Sequence, residues 1–67
     1  MGYSWWFVNH TRKDIRCSGP HNVLKTIQIF CDKYGWAMTD VIDILFEYEE
    51  EPSVLVRNKG YKIDNIW

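Results

Sequence analysis

The sequence predicts an α+β domain: a small, mostly antiparallel sheet in the order β-β-α-β-(α)-β, with one amphipathic helix packed across one face. The first observation is the stretch from Val23 to Tyr34, VLKTIQIFCDKY. Turned at about 100° per residue, it gathers Val23, Leu24, Ile27, Phe30, Cys31 and Tyr34 into an arc of roughly 120° and leaves Lys25, Gln28, Asp32 and Lys33 outside it. The second is that short runs of aromatic and β-branched residues flank this helix on both sides, which suits a pleated surface. The third is length: at about 1.5 Å per residue the helix runs roughly 18 Å, close to a strand of five or six residues, so it can lie across a small sheet and cover it.

The chain opens with Tyr3-Ser4-Trp5-Trp6-Phe7-Val8-Asn9-His10, read as a strand. Trp5 and Phe7 point one way and Trp6 and Val8 the other, so both faces are apolar, as in a strand inside a sheet or one whose second face is also covered. Thr11-Arg12-Lys13 is a polar break. Asp14 to Ser18 then alternates, with Ile15 and Cys17 on one face, and the pair forms a β-hairpin with a basic tip. Gly19 and Pro20 stop the second strand, and Ser18 or Asn22 is placed to cap the helix. Gly35 follows the last helical turn as its left-handed end residue, with Lys33 near the negative end of the helix dipole. Ile29 lies opposite the apolar stripe, as an isolated exposed aliphatic or as a partner contact.

From Val41 to Tyr48, Ile42, Ile44, Phe46 and Tyr48 share one face while Asp43 and Glu47 occupy the other; this is the clearest strand in the chain. The acidic run Glu47, Glu49, Glu50 and Glu51 closes at Pro52 as a solvated strand end and turn. Ser53 to Asn58 alternates between two readings. Val54-Leu55-Val56 suits a strand, but acids before Pro52, bases at Arg57 and Lys59, and Gly60 beyond have the order of a short helix, which is the reading preferred. Tyr61-Lys62-Ile63 makes a last short strand, and Trp67 closes the chain, packed or as a contact residue.

Sixty-seven residues make one domain with one core, 1–67, burying about 60% of the surface its unfolded chain exposes. A hydrophobic share of 46% and an aromatic share of 16% argue for a folded domain rather than disorder. The net charge of −1 gives no global pull toward nucleic acid or membrane, but residues 1–33 carry +3 and residues 34–67 carry −4. No secretory signal precedes Cys17 and Cys31, so the expectation is a reduced, cytoplasmic or virion-associated protein that is not secreted. Asn9-His10-Thr11 matches a glycosylation sequon that has no meaning without secretion. No run is long enough to span a bilayer, so no membrane partner is expected.

Several groups of residues are of types that can carry chemistry. His10, Cys17, His21 and Cys31 are metal-ligand types, but their spacing is not that of structural zinc and Cys31 sits on the buried stripe, so no metal is expected. Cys17 near Arg16 and His21 can be drawn as a nucleophile with a base in an electropositive setting, but any small protein offers such a triplet, and Asp40, Asp43 and Glu47 show no opposed acid and base roles. Gly-rich phosphate loops are absent. No catalytic residue and no cofactor site is assigned; the protein is expected not to be an enzyme.

The segment Trp6-Phe7-Val8-Asn9-His10-Thr11-Arg12-Lys13, with the Gly35-Trp36 turn and the Asp40 to Phe46 strand, resembles small uncharacterised proteins of large DNA viruses and their microbial hosts. That resemblance carries no known activity and no functional residue; it implies a viral accessory or virion component. In such a segment Asn9, His10 and Thr11 would organise the hairpin turn, the Asn side chain bonding nearby backbone. The function expected is therefore a non-enzymatic protein-protein interaction or structural role, by self-association or docking, with Trp5, Trp6, Ile29 and Trp67 as partner-binding residues. The alternative is a nucleic-acid-binding module in which His10, Arg12, Lys13 and Arg16 follow phosphates beside the aromatic rings.

Overall fold

A computed structural model describes residues 2–18, 22–50 and 52–63. Its elements are β1 (Tyr3–Asn9), β2 (Asp14–Ser18), α1 (Val23–Tyr34), β3 (Ile42–Tyr48), α2 (Ser53–Arg57) and β4 (Lys62–Ile63). The sheet order is β3-β1-β2-β4, antiparallel except for the parallel β2-β4 pair. The expected α+β class is therefore the one observed, and the ambiguous Val54 segment is helical.

The strand with two apolar faces is the one at the centre. Trp6 and Val8 pack on one side of the sheet with Ile15, Cys17 and Val54; Leu45, Leu55 and Tyr61 close over them. Phe7 packs on the other side with Phe30 and Trp36, joined by Trp5, Val23, Ile27, Cys31, Tyr34 and Ile42. The domain is thus a sheet between a long helix and a short one, and its two largest fully buried side chains, Trp6 and Phe7, are sequence neighbours separated by the sheet itself. That alternation is the period-two geometry of an extended chain.

Both ends of α1 are fixed by side chain and backbone. Asn22 Oδ1 accepts from the Lys25 amide at 3.2 Å, and Gly35 takes the left-handed conformation, φ 75°. The buried arc differs from the expected one: Leu24 is 72% exposed, whereas Thr26 is buried. Burying Thr26 is inexpensive because its hydroxyl donates to the Asn22 carbonyl at 2.9 Å, and the helix rolls its Thr26-Phe30 edge onto the sheet instead.

The start of α2 is held by a residue from the acidic run. Glu47 accepts from the Val54 amide at 3.1 Å through Oε1 and from the Ser53 hydroxyl through Oε2, so it works as a helix cap rather than as a solvated turn residue. Cys17 and Cys31 are free and belong to opposite sides of the sheet, which prevents their pairing. Burial raises the Cys17 thiol pKa, a hydrogen bond with Ser4 opposing the shift and the charge of Glu49 adding to it.

Candidate interaction surface

The register of β1 against β3 sets Tyr3 beside Tyr48, Trp5 beside Phe46, Phe7 beside Ile44 and Asn9 beside Ile42. Directly paired residues share a face, so all eight lie on the α1 side. The helix covers only part of it. Phe7 is fully buried under Phe30, their rings edge to face at 5.2 Å, and Ile42 packs against the same cluster. Toward the other end of the strands cover thins out: Ile44 is 36% exposed, Phe46 51%, Tyr48 41% and Tyr3 57%.

The uncovered rings touch one another. Tyr3 stacks on Phe46 at 5.4 Å and meets Tyr48 edge-on at 5.4 Å, while Trp5 leans on Phe46 at 4.9 Å. Trp5, half-buried, joins this patch to the core. The result is one continuous aromatic surface on the rim of the sheet, since β3 is its outermost strand on that side.

The backbone of β3 adds a second property. The His10 amide donates to the Val41 carbonyl at 2.8 Å and the Glu49 amide donates to the Gly2 carbonyl at 2.9 Å, so the odd-numbered residues of this strand turn their amides and carbonyls toward β1. Alternation then turns those of Ile42, Ile44, Phe46 and Tyr48 outward, where no strand among the described residues meets them. The residues that present apolar side chains on the face also present free backbone groups at the edge.

The residues of the hairpin tip have internal partners. Asn9, fully buried, accepts the Arg12 amide at 3.0 Å and donates to Asp40 Oδ2 at 2.9 Å. Asp40 Oδ2 also receives the Arg12 guanidinium at 2.7 Å and the Ala37 amide at 3.0 Å. Those donors, the Ala37 amide first, then Asn9 and Arg12, lower the Asp40 pKa to about 2. The Thr11 hydroxyl accepts the Val41 amide at 2.9 Å. His10 lies between two partners: Nε2 is 2.8 Å from Asp43 Oδ2 and Nδ1 is 2.8 Å from the Tyr61 hydroxyl. In the neutral ring, Nε2–H donates to the carboxylate and Nδ1 accepts from the phenol. Lys13 completes the turn at φ 53°, its carbonyl accepting the Lys62 amide at 2.8 Å. This network ties the turn to β3 and β4, and Asn9 does bond nearby backbone.

The sequence-derived contact residues fall in different places. Trp5 borders the aromatic surface. Trp6 is 1% exposed beneath Val54 and offers a partner no surface as the chain stands. Its alternation partner in the first strand, not Trp6 itself, reaches the rim. Ile29 is half-exposed on the outer side of α1, beside a shallow depression of about 500 Å³ shared with Ser18, Lys25 and Phe30. Trp67 lies outside the described residues, as does His21. Of the cations proposed to follow phosphates, Arg12 faces Asp40, His10 faces Asp43, and Arg16 faces Asp14 at 3.2 Å with its guanidinium 3.7 Å from the centre of the Tyr34 ring. Arg16 is moreover on the α1 side of the sheet, away from the turn.

Sequence reasoning missed Ile44, Phe46 and Tyr48, and placed Tyr3 only among the rings beside the basic hairpin. The shared face of β3 was visible, but the sequence does not show where a twelve-residue helix stops covering it. Among the described residues no helix is long and apolar enough to cross a membrane, and no three His, Cys, Asp or Glu side chains are grouped to hold a metal ion. Compared with protein-family models, curated proteins and solved structures, the chain matches none.

Proposed function

We propose that this chain is a small non-enzymatic interaction or structural protein that works by associating, through the aromatic surface of β1 and β3, with a protein partner or a second copy of itself. The observation that carries the reading is the joined exposure of Tyr3, Ile44, Phe46 and Tyr48 beside an open strand edge. A small domain gains stability by burying its large rings, and a contiguous patch of them left outside is characteristic of a contact surface, where aromatic side chains are enriched. A role as a viral accessory or virion component is what the resemblance of the WFVNHTRK segment suggests.

Aromatic sheets also hold single-stranded nucleic acid, by stacking bases while cations follow the backbone. Here the rings lie in the wrong electrostatic company: residues 34–56 contain six acidic residues and no Lys or Arg. Of the hairpin's four basic residues, His10, Arg12 and Arg16 face carboxylates of the fold instead, and Lys13 is exposed. These features favour a protein partner.

Site-specific photo-crosslinking tests the reading. With p-benzoylphenylalanine in place of Phe46, and at exposed Lys25 as a control, irradiation in an extract of cells that make the protein should give protease-sensitive, nuclease-resistant adducts from position 46 alone. Adducts that nuclease removes, or none at position 46, would overturn it.

A further inference from the structure

Resting on that reading, we infer that the edge of β3 takes one particular kind of occupant: an extended segment of another protein in which apolar residues alternate with Lys or Arg, added as a fifth strand.

The backbone of β3 fixes the mode of binding. Outward-turned amides and carbonyls at Ile42, Ile44, Phe46 and Tyr48 are the groups to which an added strand bonds, and pockets or patches for its alternate side chains then give selectivity. One side of such a strand would extend the surface of Ile44, Phe46 and Tyr48. Its other side would lie next to Asp43, Leu45 and Glu47, with Glu49 and Glu50 beyond the end.

Charge decides the partner. Along that second side Glu47 is engaged by the start of α2, and the other acids are answered by few cations: His10 bonds Asp43, and Arg57, at the end of α2, lines a cleft of about 240 Å³ with Asp43 and Leu45. Arg57 is itself bonded to the Ser53 hydroxyl at 3.0 Å. A second copy of the chain would bring only more acid. Two-fold pairing about Leu45 sets Asp43 against Glu47 of the other copy, and pairing about Phe46 sets Asp43 against Glu49. Pairing about Ile44 leaves Asp43 and Glu47 as diagonal neighbours with no cation between them. Like charges opposed across strands are destabilising and opposite charges favourable, so a basic strand fits where a copy does not.

The test uses the intact chain and the blocked peptide Lys-Val-Lys-Leu-Arg-Val-Lys at low salt, followed by calorimetry and by hydrogen exchange. We expect binding at least ten-fold tighter than to the same peptide with Glu for each base. It should weaken about ten-fold between about 50 and 500 mM salt and disappear when alternate peptide amides are N-methylated on the bonding edge. Exchange should slow at the outward amides of Ile44 and Phe46, while those of Asp43 and Leu45, already bonded to β1, change little. Phe46→Ala and Glu50→Lys, both at exposed positions, should each reduce binding at least several-fold without loss of the folded spectrum.

Equal binding of the acidic peptide, or slowed exchange elsewhere, would overturn the inference. So would growth of the chain's own mass with concentration at low salt, which would identify a second copy as the occupant. Protein adducts at position 46 combined with no peptide binding would overturn the basic strand and leave association through this surface standing. The absence of such adducts would overturn both.

Discussion

Asp40 carries more bonds than any other side chain of the hairpin end, with one oxygen receiving Asn9, Arg12 and Ala37. Its acidity is therefore a property of the fold and is lost with it. A carboxyl whose folded value, about 2, lies below its unfolded value of 3.8 contributes stability that is complete above the unfolded value and disappears as pH falls through the folded one. We expect the melting temperature to drop between about pH 4 and pH 2, and Asp40→Asn to flatten that part of the profile while lowering stability at pH 7. Melting curves of both proteins across that range check it; an unchanged acid limb in the variant would refute the assignment. The residues WFVNHTRK are thereby explained as architecture: Asn9, His10, Thr11 and Arg12 each satisfy a group on the far side of the turn.

Among the elements, α1 shows what a sequence displays well. Its span, its Asn22 cap and its Gly35 terminus follow from local chemistry, and they are where the apolar period and the capping residues place them. At Gly35 the left-handed φ of 75° leaves open space around a Cβ, so the cost of a side chain there is backbone strain alone. Gly35→Ala should destabilise the domain by about 1 kcal/mol in urea denaturation, without altering the folded spectrum. A neutral substitution would mean that the helix end is held from elsewhere. What the sequence hid are relations between elements. Leu24 and Thr26 lie on opposite borders of one stripe, and only the docking angle of the helix decides which is covered. The parallel pairing of β4 with β2 and the capping of α2 by Glu47 join residues whose local surroundings say nothing of each other. Ile42 and Phe46 look alike in the strand pattern and differ only because one lies under α1.

At the scale of the whole molecule, the sheet is a partition between two small cores, one beneath α1 and one beneath α2 with Tyr61. The two cysteines report on it independently. Cys31, half-buried near Met38, should react with a neutral thiol reagent in the folded protein, whereas Cys17, buried with a raised pKa, should react only as fast as the domain opens. Mass spectrometry of partially labelled protein should therefore show a single early adduct at Cys31, and oxidation should give no change in mobility from an internal disulfide. Early labelling at Cys17 would show that the α2 side opens locally.

The acids along β3 have a consequence for the handling of the protein. Natural sheets keep exposed edges from joining one another by placing charge on them, and here acids along and just past β3 serve as that guard over a strand otherwise well suited to stacking. Such a guard, carried by Asp43 and Glu50 because Glu47 is taken up by the start of α2, works only while its field reaches across the gap, and dissolved ions shorten that reach. Concentrated salt, which loosens a basic strand, should then make the chain cohere with itself, so that solubility falls as ionic strength rises.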